Sequence, residues 1–266
     1  MQRAPQFVTG KFVPHHKFLE DAEYGRALDA LVKAVSDVLV ISQDDLRVYL
    51  GRRKVEPQPD WWYIGGRAKP GETPQQAAAR NVRRELGLDL PVERFEVVAN
   101  YSFVWHTRAQ APVDHGTADI STVHHLTLHP EEVSVVKLDE KEYSDARWFP
   151  MEEVLRGEFH PALKQAIRDL RAKRAFEALE KAVGSGASAA SSIADADRTV
   201  AHLARELVQQ VSASRTSGPT HAIFCAEGRR YEVSCADGNF DGKNRSNGST
   251  ESGGDARGRS RSPLRG

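Results

Sequence analysis

Apolar residues fall along this chain at two distinct spacings, and they thin out beyond residue 184. Leu28, Leu31, Val32 and Val35 recur every three to four residues, which predicts a helix over residues 18–35. Two apolar runs follow, 36–42 and 46–53, broken by Gln43-Asp44-Asp45; they read as strands joined by a turn. After a loop carrying Pro57 and Pro59, the aromatic run 61–64 reads as a short strand. Thr73 offers an N-cap and Pro74 a first-turn proline, so a helix starts there, and Gly87 stops it. Runs 95–105, 121–129 and 146–150 read as further strands, and 161–183 as a long helix. Strands and helices interspersed in this order predict an α/β domain, a mixed sheet covered by helices.

The composition then divides the chain. All four tryptophans precede residue 184, and after it come Gly/Ser-rich stretches that bury too little apolar area to offset chain entropy. The expected organisation is an N-terminal extension and helix over 1–34, a folded domain with its C-terminal helix over 35–183, and a low-complexity, mostly disordered tail over 184–266. Within that tail Val200, Leu203, Leu207 and Val211 keep helical spacing and predict a short amphipathic helix. Residues 222–235 read as a hairpin across Glu227-Gly228.

Charge and cysteine count narrow the classes. Lysine plus arginine number 37 and aspartate plus glutamate 37, so the formal net charge is zero and a polybasic nucleic-acid binder is excluded for the chain as a whole. No stretch approaches the roughly 18 apolar residues of a membrane helix. The first twenty or so residues lack the apolar centre of a secretory signal. Two cysteines cannot build a disulfide framework, so a reducing, cytoplasmic location is expected. The C-terminal Arg-Ser run leaves RNA or protein contacts through the tail open.

The chemistry concentrates in Gly65-Gly66-Arg67-Ala68-Lys69-Pro70-Gly71-Glu72-Thr73 and the helix behind it. A glycine-rich strand exit leaves backbone groups at the surface, and Glu72 sits at the junction of loop and helix. On the helix Asn81 and Glu85 share one face, while Arg80 and Arg84 share another. A carboxylate beside an exposed carbonyl suits a hard cation; Mg²⁺ in such places keeps waters and takes substrate phosphates as its other ligands. Guanidinium groups match phosphate oxygens in pairs, which marks Arg53 and Arg67 as diphosphate contacts. Arg80 either pairs with Glu72 or touches phosphate. The plainer readings are a solvated carboxylate, a surface arginine and a core histidine.

This spacing resembles the Nudix box: Gly66, five residues, Glu72, seven residues, then Arg80-Asn81-Val82-Arg83-Arg84-Glu85-Leu86-Gly87-Leu88. Asn81 and Arg84 stand where that family has glutamate. The resemblance covers roughly residues 35–170 and implies an α/β/α sandwich on a mixed sheet. It also implies hydrolysis of a nucleoside diphosphate linked to another moiety, with Mg²⁺ (Mn²⁺ as a substitute) as cofactor. The GDP-mannose mannosyl hydrolase subgroup lacks the same two glutamates. It is further resembled by Leu50-Gly51-Arg52-Arg53, by Ser121-Thr122-Val123-His124 and by residues 139–148. By that resemblance Gly65, Glu85 and Glu142 would hold the metal and Glu85 and Glu72 would serve catalysis, with His124 or His125 as the substitute for the subgroup's histidine. Arg53, Arg67 and Arg80 would bind a nucleotide sugar. Tyr143 stands where the subgroup has its catalytic histidine. The expected partner is a small-molecule nucleotide, with a homodimer as one assembly to test and no membrane contact. The second reading is a nucleotide- or RNA-end-binding protein with weak or no catalysis.

Overall fold

The computed structural model describes residues 5–185, 193–215, 222–226 and 229–233. It is a mixed α/β fold built on a seven-stranded sheet. The strands are β1 (Lys33–Ser42), β2 (Arg47–Arg53), β3 (Trp61–Trp62), β4 (Ile64–Arg67), β5 (Glu96–Trp105), β6 (Thr117–Leu128) and β7 (Tyr143–Pro150). The helices of this part are α1 (Asp21–Ala30), α2 (Pro74–Leu86), α3 (Pro130–Val133), α4 (Met151–Arg156) and α5 (Pro161–Ser185). The sheet runs β3-β2-β1-β6-β5, with β4 also on β1 and β7 on the far side of β2. Only β1 and β6 pair in parallel among the described strands.

Alternation along β1 builds two cores. Val38 and Val40 pack with Ile64, Ala78, Val82 and Leu86 beneath α2. Leu39 and Ile41 pack with Leu163, Ile167 and Leu170 beneath α5. Every one of these side chains is essentially shielded from water, and each contributes about 1.5–3 kcal/mol of burial when large and aliphatic. The sheet therefore separates two helical layers, the sandwich expected from the alternating elements.

Two expectations change. The first helix covers Asp21–Ala30, not 18–35: Leu31 and Val32 are exposed, and Val35 belongs to β1. The parallel ladder from Lys33↔Asp119 to Ser42↔Leu128 takes the chain from Lys33 onward into β1, a distant pairing that local periodicity cannot reveal. The aromatic run 61–64 is also not one strand. Trp61–Trp62 pairs with β2, whereas Ile64–Arg67 pairs with β1.

In the tail, α6 (Ile193–Arg215) packs along α5, and Val200, Leu203, Leu207 and Val211 form its half-buried stripe. The predicted hairpin is present as β8 (Ala222–Ala226) and β9 (Arg229–Val233), paired antiparallel. The expected disorder of the rest of the tail lies outside the described residues. None of the described helices is long and apolar enough to cross a membrane.

Candidate active site

The loop and helix that carry the box are fixed by local chemistry. Thr73 caps α2 by accepting from the Gln76 amide at 3.2 Å, while the Gln76 side chain accepts from the Thr73 amide at 2.9 Å. The helix ends at Gly87, whose φ of 71° is left-handed backbone that suits glycine. Glu72 takes the Lys69 amide at 2.7 Å and is clasped by Arg80, Nη2 to Oε2 at 2.8 Å. Burial pushes its carboxyl up, but Arg80 and the Lys69 amide together hold it below the usual range. Arg80 also donates to the Arg67 carbonyl at 2.9 Å and to Asn81 Oδ1 at 2.8 Å. Asn81 in turn donates to the Gly66 carbonyl at 2.9 Å. Glu72 and Arg80 are thus the brace of the loop.

One turn on, Glu85 is completely buried on the inner face of α2. Its Oε2 accepts the Gly65 amide at 3.1 Å and the Tyr143 hydroxyl, and its Oε1 takes an ion pair with Arg84. A Cβ on Gly51 would run into the Tyr143 ring, so that glycine in β2 makes room for the tyrosine. Burial, opposed by Tyr143 and Arg84, holds the Glu85 carboxyl above the usual range. Burial and Glu85 together push the Tyr143 phenol well up, so it stays protonated as a donor. Arg84 also reaches toward Glu142, Nη2 to Oε1 at 3.8 Å, and keeps 43% of its side chain exposed.

The expected Mg²⁺ set of Gly65, Glu85 and Glu142 does come together, but not as a cage for an ion. Gly65 meets Glu85 through its amide. Both oxygens of Glu85 are engaged, and the Arg84 guanidinium stands between Glu85 and Glu142. Among the described residues no group of three or more His, Cys, Asp or Glu side chains is placed to hold a metal. In this arrangement the donors do not fit a divalent cation.

Beside this cluster lies a cleft of about 260 Å³. Arg53, Arg67, Gly65 and Gly66 line it, together with an aromatic wall of Trp62, Phe103 and Trp105. Phe103 and Trp105 stack at 5.3 Å between centroids, and Trp62 meets Trp105 edge-on at 5.7 Å. A register shift between Arg52 (opposite Asp145) and Arg53 (opposite Tyr143) marks a bulge with Ser144 of β7 as the extra residue beside Arg53. The Arg67 guanidinium lies 5.0 Å from the Tyr24 ring centroid, so α1 closes that side.

Two buried acids in the cleft escaped the sequence reading. Asp37 accepts the Ser121 hydroxyl at 2.7 Å, and Asp119 accepts the Trp105 indole N–H at 2.7 Å and pairs with Lys33 at 3.0 Å. Burial, opposed mainly by Ser121, raises Asp37 to about 7. The signal was available: an aspartate inside the apolar strand 36–42 is rarely buried unless it has a partner. His124 goes elsewhere. It is fully buried on β6, away from the cleft lining, and burial lowers it to about 4, so it is neutral at ordinary pH.

No curated protein matches the chain. Among solved structures it resembles a MutT protein from Methanosarcina mazei Go1, 19% identical, covering 54% of this chain and 96% of that one with a TM-score of 0.42. Another is the E. coli dihydroneopterin triphosphate pyrophosphohydrolase, 23% identical over 52% of this chain and 95% of that one, TM-score 0.40. A third is a bifunctional NMN adenylyltransferase/ADP ribose pyrophosphatase from Francisella tularensis, complexed with AMP and Mn ion. It is 24% identical over 49% of this chain and 38% of that one, TM-score 0.35. Residues 32–170, more than half of the chain, match the NUDIX domain family, and the chain belongs to that family.

Proposed function

We propose that this chain hydrolyses a nucleoside diphosphate linked to another moiety, with a nucleotide sugar as the favoured substrate. The observation that supports it is the union of an aromatic wall and an arginine rim in one cleft. A base stacks against the wall of Trp62, Phe103 and Trp105, a contact worth about 1–3 kcal/mol per base. Arg53 and Arg67 take the diphosphate oxygens beside Gly65-Gly66. Asp37, raised to about 7, is the group suited to exchange a proton with water. Nudix hydrolases generally use divalent metals such as Mg²⁺ or Mn²⁺. Here the charge of the diphosphate is met by guanidinium groups.

Attack at the sugar carbon asks least of such a site. Water bonds to the anomeric carbon, the carbon–oxygen bond breaks, the nucleoside diphosphate leaves with the electron pair, and the proton of water passes to Asp37. The products are free sugar and nucleoside diphosphate. A panel of nucleoside-diphosphate compounds, with Mg²⁺ and with chelator, tests this by chromatography. Reaction in ¹⁸O-labelled water places label in the sugar under this reading; label in a phosphate product would mean attack at phosphorus. A cytoplasmic location and a homodimer belong to the same reading. Binding of a nucleotide or RNA end without turnover is the second one. It is favoured by Tyr143, whose hydroxyl is committed to Glu85; binding across the panel with no product would establish it.

A further inference from the structure

Arg84 occupies the place of a cation. Its Nη2 is paired with the buried Glu85, lies 3.8 Å from Glu142 Oε1, and would stand 3.1 Å from a Cβ on Gly66. Two carboxylates and bare glycine backbone are the surroundings in which a hydrated divalent ion would sit. They are filled by a positive charge covalently part of the chain. The Gly66 carbonyl is already used by Asn81 at 2.9 Å, and Glu85 has both oxygens engaged. A second cation there would find few free ligands and a guanidinium repelling it.

The same guanidinium is placed to meet the substrate. Gly66 lines the cleft and abuts Arg84, with no side chain between. The outer edge of β4 pairs with no described strand, and Arg84 adjoins the cleft through Gly66 without lining it. Arg53 lies close enough to favour the charged form both of Asp37 in the cleft and of Tyr143 beside Glu85. Cleft and cluster are one electrostatic site. Only Nη2 of Arg84 is bound to Glu85, and a guanidinium has five N–H donors, so a fork remains for phosphate oxygens.

We propose that Arg84 is the resident cation of this site, binding the diphosphate directly, so that nucleotide binding needs no Mg²⁺ or Mn²⁺. The proposal rests on the reading of the cleft as a nucleoside diphosphate site. The test uses the full chain, tryptophan fluorescence, and ADP, GDP and UDP as probes, in excess Mg²⁺ or excess EDTA. Wild-type affinity should agree between the two buffers within about twofold. Arg84→Gln, with melting followed alongside, should weaken binding in EDTA by about tenfold, the worth of a charge-assisted hydrogen bond. Mn²⁺ titrated without nucleotide and followed by electron paramagnetic resonance should show no site in the wild type and a new one in Arg84→Glu. Wild-type binding that needs Mg²⁺, a Mn²⁺ site in the presence of Arg84, or Arg84→Gln binding as the wild type does would each overturn the proposal while leaving the cleft reading intact. Binding in neither buffer would overturn the cleft reading, and this proposal with it.

Discussion

Tyr143 gives its hydroxyl hydrogen to Oε2 of Glu85, the same oxygen that accepts the Gly65 amide. One buried atom thereby ties β7, α2 and β4 together. Glu85 also orients Arg84, so its charge matters more to the site than to the fold. Burial already disfavours that charge. Glu85→Gln should therefore change stability by about 1 kcal/mol or less, since Arg84 can turn to water. Turnover should fall about tenfold or more because the guanidinium loses its anchor. Denaturant unfolding and steady-state kinetics check both, and activity within about threefold of wild type would remove Glu85 from the site.

Asp37 should govern part of the pH dependence. Its carboxyl is raised from 3.8 to about 7 in the folded protein. A raised carboxyl contributes stability that is full below pH 3.8 and is lost as pH climbs to about 7. Asp37→Asn removes that loss, so the variant should gain on the wild type across this window, by a few kcal/mol as an order of magnitude. His124 and His160, both lowered to about 4 by burial, act in the opposite sense as pH falls below 6.5. They are common to both proteins and cancel in the difference. Urea melts of both at pH 4, 5.5 and 7 read it; a flat difference would show that Asp37 is ionised normally.

Arg80→Lys keeps the charge and should still fail. Arg80 holds both oxygens of Glu72, the Arg67 carbonyl and Asn81 at once. An ammonium cannot make that planar set. The loss should be about 1–3 kcal/mol in stability, with a raised KM as Arg67 loosens. A melting curve equal to wild type would show that the brace is not used.

Truncation after Val183 should leave a cooperative melt and unchanged turnover. The core side chains beneath α5 run from Leu163 to Ala175, whereas α6 packs along α5 beyond the sheet. Calorimetry of the shortened chain decides: a broadened or lost transition would mean that the stripe Val200–Val211 is part of the domain.

What the sequence made legible was local. Thr73 and Gly87 bound α2 because capping and left-handed backbone depend on the residue itself. The Glu72–Arg80 pair was one of two readings for Arg80, and the box spacing put both on one loop and helix. What it hid was made by distant partners. The ladder between β1 and β6 shortened α1. Tyr143 met Glu85 across 58 residues, and Asp37 met Ser121 across 84. Arg84 came to lie against Gly66 through the packing of α2 on β4, and spacing alone carries no sign of that.

The strand β5 closes one side of the sheet, and its pairing with β6 slips in register between Val97 and Ala99. An open strand edge is a template on which another chain can add, the first step of fibril growth. A bulge breaks the even row of donors and acceptors that such an incoming strand must match. The irregularity in β5 thus makes this edge a poor template for an added strand, at the end of the sheet where no other described strand covers it.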